Sequence, residues 1–227
     1  MDLESDRVPE QIESGTNIWQ ACFSASADEL YLNAGVLGKR FAAGYSRQNG
    51  GRFEPNTTPI RGLGTTLDEP IRTCQGTTSV KIVTLSSDLH TAYVWDIATA
   101  KRMGDPVETR GEIKAASLSP DGRLLALAVA PAGDRRSSNA ATIEDSLQIW
   151  NVESGDRLAL PSERHEDAVL YVAWRPDGRQ LVSCSADHTA RLWNLTEAQA
   201  LTAAPKLDHR GPVTYAAFSA DCQYRAT

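Results

Sequence analysis

The sequence predicts an all-β protein with the architecture of a β-propeller, in which one four-stranded unit is repeated. Three short runs of alternating apolar and polar residues each end in a tryptophan followed by Asp or Asn. These pairs are Trp95-Asp96, Trp150-Asn151 and Trp193-Asn194. The tryptophans are 55 and 43 residues apart. A Trp-Asp signature that recurs at about 40–45 residues is typical of propeller blades.

The clearest copy of the unit runs from His165 to Asn194. Residues 169–173 predict its first strand and residues 180–183 its second. Between them, Pro176-Asp177-Gly178-Arg179 predicts a tight turn, because proline presets φ and glycine accepts a positive φ. From its opening histidine to its closing tryptophan, this copy resembles the WD40 repeat family, which implies a propeller blade.

Alignment on this copy places repeat starts at Ile18, Ile71, Ile113, Val169 and Val213. The predicted organisation is a tail (1–13), a degenerate first repeat with an insertion (14–66), a second repeat (67–108), a third repeat (109–164) with an insertion at 131–143, a fourth repeat (165–208) and a truncated fifth repeat (209–227). The first repeat lacks the tryptophan, and Phe41 or Tyr45 is expected in its place.

The resemblance implies a hydrogen-bonded chain of four side chains in the fourth repeat: His165, Ser183, Asp187 and Trp193. The carboxylate would accept from the imidazole, the imidazole from the hydroxyl, and the hydroxyl from the indole N–H, so that every buried polar group is satisfied. The other repeats depart from this set. Thr109 and Glu144 replace the His and Asp of repeat three, Leu67 replaces the His of repeat two, and Asp88 lies one residue early.

The fifth copy stops within its predicted second strand, so the ring is expected to be incomplete or open. Three interpretations remain: a piece of a longer propeller, an open arc completed by a second chain, or a smaller ring closed by the N-terminal segment. An unpaired strand edge is a template for association, so self-association through blade edges is also expected.

Composition limits the function classes. The net charge of −6 is spread without long runs, which argues against binding nucleic acid or anionic membranes. The N-terminus is acidic and has no apolar stretch, so no signal peptide is predicted. The four cysteines have unrelated spacings, which predicts free thiols and a cytoplasmic location.

Catalytic chemistry is not predicted. Ser183, His165 and Asp187 could be taken for a hydrolase triad, but in the family this hydroxyl lies inside the blade behind the tryptophan. No histidine spacing suggests a metal site, and no cofactor is expected. His209 has a structural role in its repeat. A sharper hypothesis concerns Arg135 and Arg136 of the insertion, which with His188 would contact an acidic or phosphorylated partner segment.

The predicted function is that of a non-catalytic scaffold that binds other proteins. The residue pattern of the repeats resembles that of bacterial WD40 arrays, which are often linked to Hanks-type serine/threonine kinases. One alternative is therefore a sensor module of such a kinase, although the chain has no His-Arg-Asp or Asp-Phe-Gly motif. The other alternative is a propeller enzyme or small-ligand binder that uses the central channel.

Overall fold

The secondary structure consists of antiparallel β-sheets. The computed structural model describes the backbone of residues 17–23, 29–36, 39–46, 54–55, 71–76, 80–86, 88–96, 99, 101–130, 146–196, 201–219 and 225–226. It describes side chains for 81–86, 88–96, 99, 101–130, 146–196, 201–202 and 206–219. Within these ranges there is no helix, and hence no helix that could span a membrane. The predicted all-β class is confirmed.

The strands form five sheets in chain order. The first contains β1 (Asn17–Phe23), β2 (Glu29–Val36), β3 (Lys39–Ser46) and β4 (Glu54–Pro55); the second contains β5 (Ile71–Gly76), β6 (Val80–Leu85), β7 (Thr91–Asp96) and β8 (Lys101–Glu108). The third contains β9 (Ile113–Leu118), β10 (Leu124–Val129) and β11 (Leu147–Asn151); the fourth contains β12 (Val169–Trp174), β13 (Gln180–Ser185), β14 (Thr189–Leu195) and β15 (Leu201–Asp208). The fifth pairs β16 (Ala217–Phe218) with β17 (Arg225–Ala226).

Sequential strands pair as neighbours in every sheet, as in propeller blades. The three tryptophan-bearing runs lie in β7, β11 and β14, the third strands of successive sheets. Phe41 and Tyr45 both lie in β3, the third strand of the first sheet. The first strands β1, β5, β9 and β12 contact one another in succession. The described sheets do not close into a barrel, so they form an open or partial propeller.

The third sheet corrects the expectation of four strands in every unit. After β11, a turn closed by hydrogen bonds to Asn151 leads to a single bridge between Trp150 and Arg157. Pairing stops there because Leu158 and Leu160 pack into the apolar cluster shared with the fourth sheet, and Pro161 has no N–H to donate. The fourth strand is therefore reduced to one bridge.

The start of the fifth unit also differs from the sequence alignment. The expected strand begins at Val213, whereas the described strand begins at Ala217. Val213 is nevertheless buried, and its N–H donates to the Ser185 carbonyl of the fourth sheet at 3.0 Å. Val213 is therefore held against the preceding sheet, as Ile113 is by its N–H donating to the Leu89 carbonyl at 2.8 Å.

Three apolar clusters lie between successive sheets and hold them together. Strand β10 is buried along its whole length because it contributes to two of them. Leu125, Leu127 and Val129 pack against the second sheet. On the other face, Leu124, Ala126 and Ala128 pack against the fourth sheet, whose Trp174 and Trp193 belong to the same cluster. Burial on both faces explains why β10 is a continuous apolar run.

Gly104 provides a test of packing between the second and third sheets. It has a φ of +62°, and a Cβ there would lie 2.1 Å from the Val152 carbonyl oxygen. Gly155 has a φ of +73° but open space around it. We expect Gly104→Ala to lower the free energy of unfolding by about 2–5 kcal/mol, and Gly155→Ala by only about 1–2 kcal/mol, since the second substitution adds backbone strain without a clash. Urea denaturation measures both, and equal losses would contradict the described contact.

Candidate functional site

The fourth sheet contains a continuous chain of buried polar contacts. His165 Nδ1 lies 2.9 Å from Asp187 Oδ2, and His165 Nε2 lies 2.7 Å from Ser183 Oγ. The Trp193 indole N–H donates to Ser183 Oγ at 2.8 Å. The structure thus brings together the four side chains that the family resemblance implied. They come from the loop before β12, from β13, from the β13–β14 turn and from β14.

The electrostatics of the chain fix its protonation state. Burial lowers the pKa of His165 below its ordinary value, outweighing the attraction of Asp187 and the hydrogen bond to it. Partial burial would by itself raise the pKa of Asp187, but hydrogen bonds from the Thr189 hydroxyl and the Glu166 amide, with the attraction of His165, lower it to about 2. His165 is therefore neutral beside a charged carboxylate. Its Nδ1–H donates to Asp187, and its Nε2 accepts from the Ser183 hydroxyl.

Two groups that the sequence analysis did not single out complete the site. The Thr189 hydroxyl donates to Asp187 Oδ1 at 2.5 Å, and the Glu166 N–H donates to Asp187 Oδ2 at 2.9 Å. Both carboxylate oxygens are therefore occupied. The position of the threonine could have been found, because an aspartate commonly accepts from the backbone N–H two residues on, as Asp187 Oδ1 does from the Thr189 N–H at 2.9 Å. The backbone amide carries no sequence signal.

The second and third sheets retain only parts of this network. The Trp95 indole donates to Thr84 Oγ1 at 2.9 Å, and the Trp150 indole donates to Gln148 Oε1 at 3.1 Å. Thr109, in the place of a histidine, donates to the Gly111 carbonyl at 2.7 Å and lies 3.0 Å from the His90 carbonyl. Leu67 and Glu144 lie outside the described residues.

The β6–β7 turn differs from its counterpart in the fourth sheet. Trp95 and Thr84 are 11 positions apart, whereas Trp193 and Ser183 are 10 apart, so the turn in the second sheet is one residue longer. In this turn the residue with a positive φ is Leu89, at 62°. In the corresponding turn of the fourth sheet it is His188, at 67°. His90 therefore lies one position beyond the equivalent of His188. The extra residue also explains the displaced Asp88.

The remaining signature residues have local roles. Asp96 Oδ1 accepts from the Thr99 N–H at 2.9 Å, and Asn194 Oδ1 accepts from the Gln180 amide at 2.7 Å. His188 is exposed, and its carbonyl accepts from the His209 N–H at 2.9 Å. Arg135 and Arg136 lie outside the described residues, so their expected proximity to His188 stays a prediction.

The Ser183–His165–Asp187 distances match those of a nucleophilic triad, but the surroundings do not. Ser183 is 0% exposed, and its oxygen already accepts from the Trp193 indole. A nucleophile must reach its substrate and face donors that stabilise the developing negative charge. This serine is sealed inside the sheet, so the network serves structure. Within the described residues, no three His, Cys, Asp or Glu side chains are grouped as a metal site.

Comparisons with known proteins agree with this geometry. The family described as "WD domain, G-beta repeat" matches residues 160–194, the segment that holds the network. The chain thus contains a WD40 repeat at residues 160–194. Similar proteins include WD repeat-containing protein 41 of Homo sapiens, with 37% identity over 65 residues, 29% of this chain and 14% of that protein. Striatin-3 of Mus musculus is 33% identical over 134 residues, 51% of this chain and 16% of that protein.

A further WD40 relative is the mRNA export factor of Danio rerio, with 31% identity over 70 residues, 30% of this chain and 18% of that protein. In each comparison, the match spans less than a fifth of the relative's length. All three relatives are eukaryotic. The expected bacterial origin and the kinase link of this chain stay predictions.

The buried imidazole of His165 predicts how the stability of the fold depends on pH. Because the folded-state pKa of His165 is lowered, the unfolded chain takes up a proton that the folded chain does not. The free energy of unfolding should therefore fall as the pH drops below the ordinary histidine pKa of 6.5. A second fall should follow below 3.8 as Asp187 is protonated in the unfolded state, extending towards the folded-state value of about 2.

Urea titrations at a series of pH values, followed by tryptophan fluorescence, test this dependence. His165→Asn should flatten the dependence near neutral pH, while His188→Asn, which changes an exposed histidine, should preserve it. A wild-type free energy of unfolding that rises on acidification from neutral pH would contradict a neutral His165 in the fold.

Trp193 should be the most costly of the four side chains to remove. It is 1% exposed and combines apolar packing with the hydrogen bond to Ser183. We expect Trp193→Ala to lower the free energy of unfolding by about 3–5 kcal/mol. Trp193→Phe keeps much of the ring but removes the donor, and should cost about 1–3 kcal/mol. A Trp193→Ala protein that melts with the wild type in calorimetry would refute this assignment.

Proposed function

We propose that this chain is a non-catalytic scaffold that binds other proteins through the loops at one end of its sheets. The observation that carries the proposal is the burial of Ser183. The one described set of side chains with nucleophilic geometry has no access to substrate, and its hydrogen-bonding groups are already used within the sheet.

Backbone hydrogen bonds join several of these loops to one another. In the fourth sheet, the Ala186 N–H donates to the Ala168 carbonyl at 3.0 Å, which ties the β13–β14 turn to the loop before β12. The Thr109 N–H donates to the His90 carbonyl at 2.8 Å, which ties the loop before β9 to the β6–β7 turn of the second sheet. We use the name loop face for the end of the sheets that carries the β6–β7 turn, the loop before β9, the loop before β12 and the β13–β14 turn. Binding residues are commonly found on loops that a rigid scaffold positions.

The insertion of repeat three lies outside the described residues, but the described residues on either side of it lie close to the loop face. The Val129 N–H donates to the Ser146 carbonyl at 2.8 Å. Next to them, the Ala130 N–H donates to the Glu112 carbonyl at 2.7 Å, in the loop before β9. This placement supports a role for the insertion, with Arg135 and Arg136, in contacting a partner with acidic or phosphorylated side chains.

The narrower assignments remain proposals. A cytoplasmic location is supported by Cys184, a buried free thiol. Protein partners are supported by the WD40 repeat at residues 160–194, and the absence of nucleic-acid binding by the net charge of −6. Self-association, a kinase-linked sensor role and a channel enzyme stay predictions from the sequence.

The insertion hypothesis predicts a selective loss of binding. With the chain as bait, a reproducible partner is purified, and its affinity for variants is measured by interferometry. Arg135→Ala/Arg136→Ala should weaken binding roughly tenfold, as expected for arginines at the centre of an interface. The control is Arg123→Ala/Arg179→Ala, which removes two exposed arginines from the turns at the opposite ends of the strands. Unchanged affinity of the first variant would refute the hypothesis, and measurable turnover by the purified chain would refute a purely scaffolding role.

A further inference from the structure

The outermost strands of the second and fourth sheets pair less regularly than the second and third strands do. Strand β10 pairs with β11 without a break over residues 124–128, and β13 pairs with β14 without a break over residues 180–184. The outer strands β8 and β15 each contain a break where the register against the third strand shifts. On this side of the sheet, a further strand could pair only with the outermost one. The breaks therefore lie where they affect association with another chain.

The break in β15 is a β-bulge that contains a proline. Between the two residue pairs on either side of the break, β14 has one residue, Leu192, whereas β15 has two, Ala204 and Pro205. One residue of β15 is therefore extra, and an extra residue on one strand of a pair forms a bulge. Proline has no N–H to donate to a neighbouring strand, and within sheets it is confined largely to edge strands and bulges. The sequence of β15 is thus that of an edge strand.

The break in β8 is larger and is fixed by the third sheet. Between the residue pairs on either side of it, β7 has one residue, Tyr93, whereas β8 has three, Gly104, Asp105 and Pro106. The φ of Gly104 is +62°, and a Cβ at this position would lie 2.1 Å from the Val152 carbonyl oxygen that follows β11. Glycine is the residue that allows both this φ and this close approach. The packing of the second sheet against the third therefore holds the bulge in place.

The two breaks divide each outer edge into short paired pieces. These pieces are residues 101–103 and 107–108 of β8, and residues 201–203 and 206–208 of β15. Strands in globular proteins usually have about 5–6 residues, so each piece is too short to pair stably with a strand from another chain. Exposed charged side chains also lie along these pieces: Lys101, Arg102, Glu108, Lys206 and Asp208. Prolines, bulges and charges on an edge strand all oppose edge-to-edge association.

We propose that the bulges at Pro106 and Pro205 prevent the outer strands β8 and β15 from pairing with a strand of a second copy of this chain. An unbroken outer strand would present a row of N–H and C=O groups, and the same strand of another copy could pair with it antiparallel about a two-fold axis. This inference goes beyond the proposed scaffold function and does not depend on it. It restricts the self-association predicted from the sequence to surfaces other than these two edges.

Deletion of Pro205 tests the proposal, because it removes the extra residue and lets β15 pair with β14 without a break. The deletion variant should fold and self-associate, so that in sedimentation velocity its weight-average mass rises with concentration towards twice that of the wild type. Adding Thr202→Lys to the deletion places a charge at an exposed position of the restored edge and should return the mass to the wild-type value. The matched control is Pro205→Ala, which supplies an N–H but keeps the extra residue. It should sediment as the wild type does.

A deletion variant that is folded by circular dichroism, yet sediments as the wild type does at every concentration, would overturn the proposal. Thr202→Lys in the otherwise unaltered chain is the second measurement, and it remains decisive if the deletion unfolds the protein. This substitution should leave the sedimentation of the chain unchanged. If the wild type self-associates and Thr202→Lys abolishes that association, the bulged edge already pairs and the proposal is wrong.

Discussion

The hydrogen-bonded chain from Asp187 through His165 and Ser183 to Trp193 joins four separate parts of one sheet. It reaches the loop that enters the sheet, the second strand, the next turn and the third strand. A buried polar network is favourable only when every member has a partner, and here both carboxylate oxygens and both imidazole nitrogens are used. The turn that it fixes provides backbone acceptors for the following unit. The network in the fourth sheet therefore also positions the neighbouring part of the loop face, through which partner binding is proposed.

Much of the fold could be predicted from residue patterns. Alternating runs that end at Trp95, Trp150 and Trp193 placed three third strands, because such runs determine both the pairing and the buried face of a strand. The loss of the fourth strand after β11 could not be predicted in the same way. It depends on Leu158 and Leu160 packing against a different sheet, and such contacts leave no periodic signal in the local sequence. The extra residue before Thr91 was missed because Ile71 and Trp95 are 24 positions apart, as are Val169 and Trp193, so the alignment showed no gap.

The site was predictable to a different extent. The residues of the polar network follow a recurrent order, so the resemblance alone placed them. The Thr189 hydroxyl and the Glu166 amide, which also bind Asp187, were not singled out, and a backbone amide carries no sequence signal.

Strand β10 has leucines and a valine towards the second sheet, and two alanines with one leucine towards the fourth, where Trp174 and Trp193 supply the bulk. The two faces of β10 therefore differ in side-chain volume, and the sheet that packs on each face supplies the complementary volume. Blades built this way are not interchangeable modules. The second sheet meets the larger face of β10 with Val83, Ala92 and Val94, and the fourth sheet meets the smaller face with two tryptophans, so the linear order of the units is encoded in steric complementarity as well as in chain connectivity.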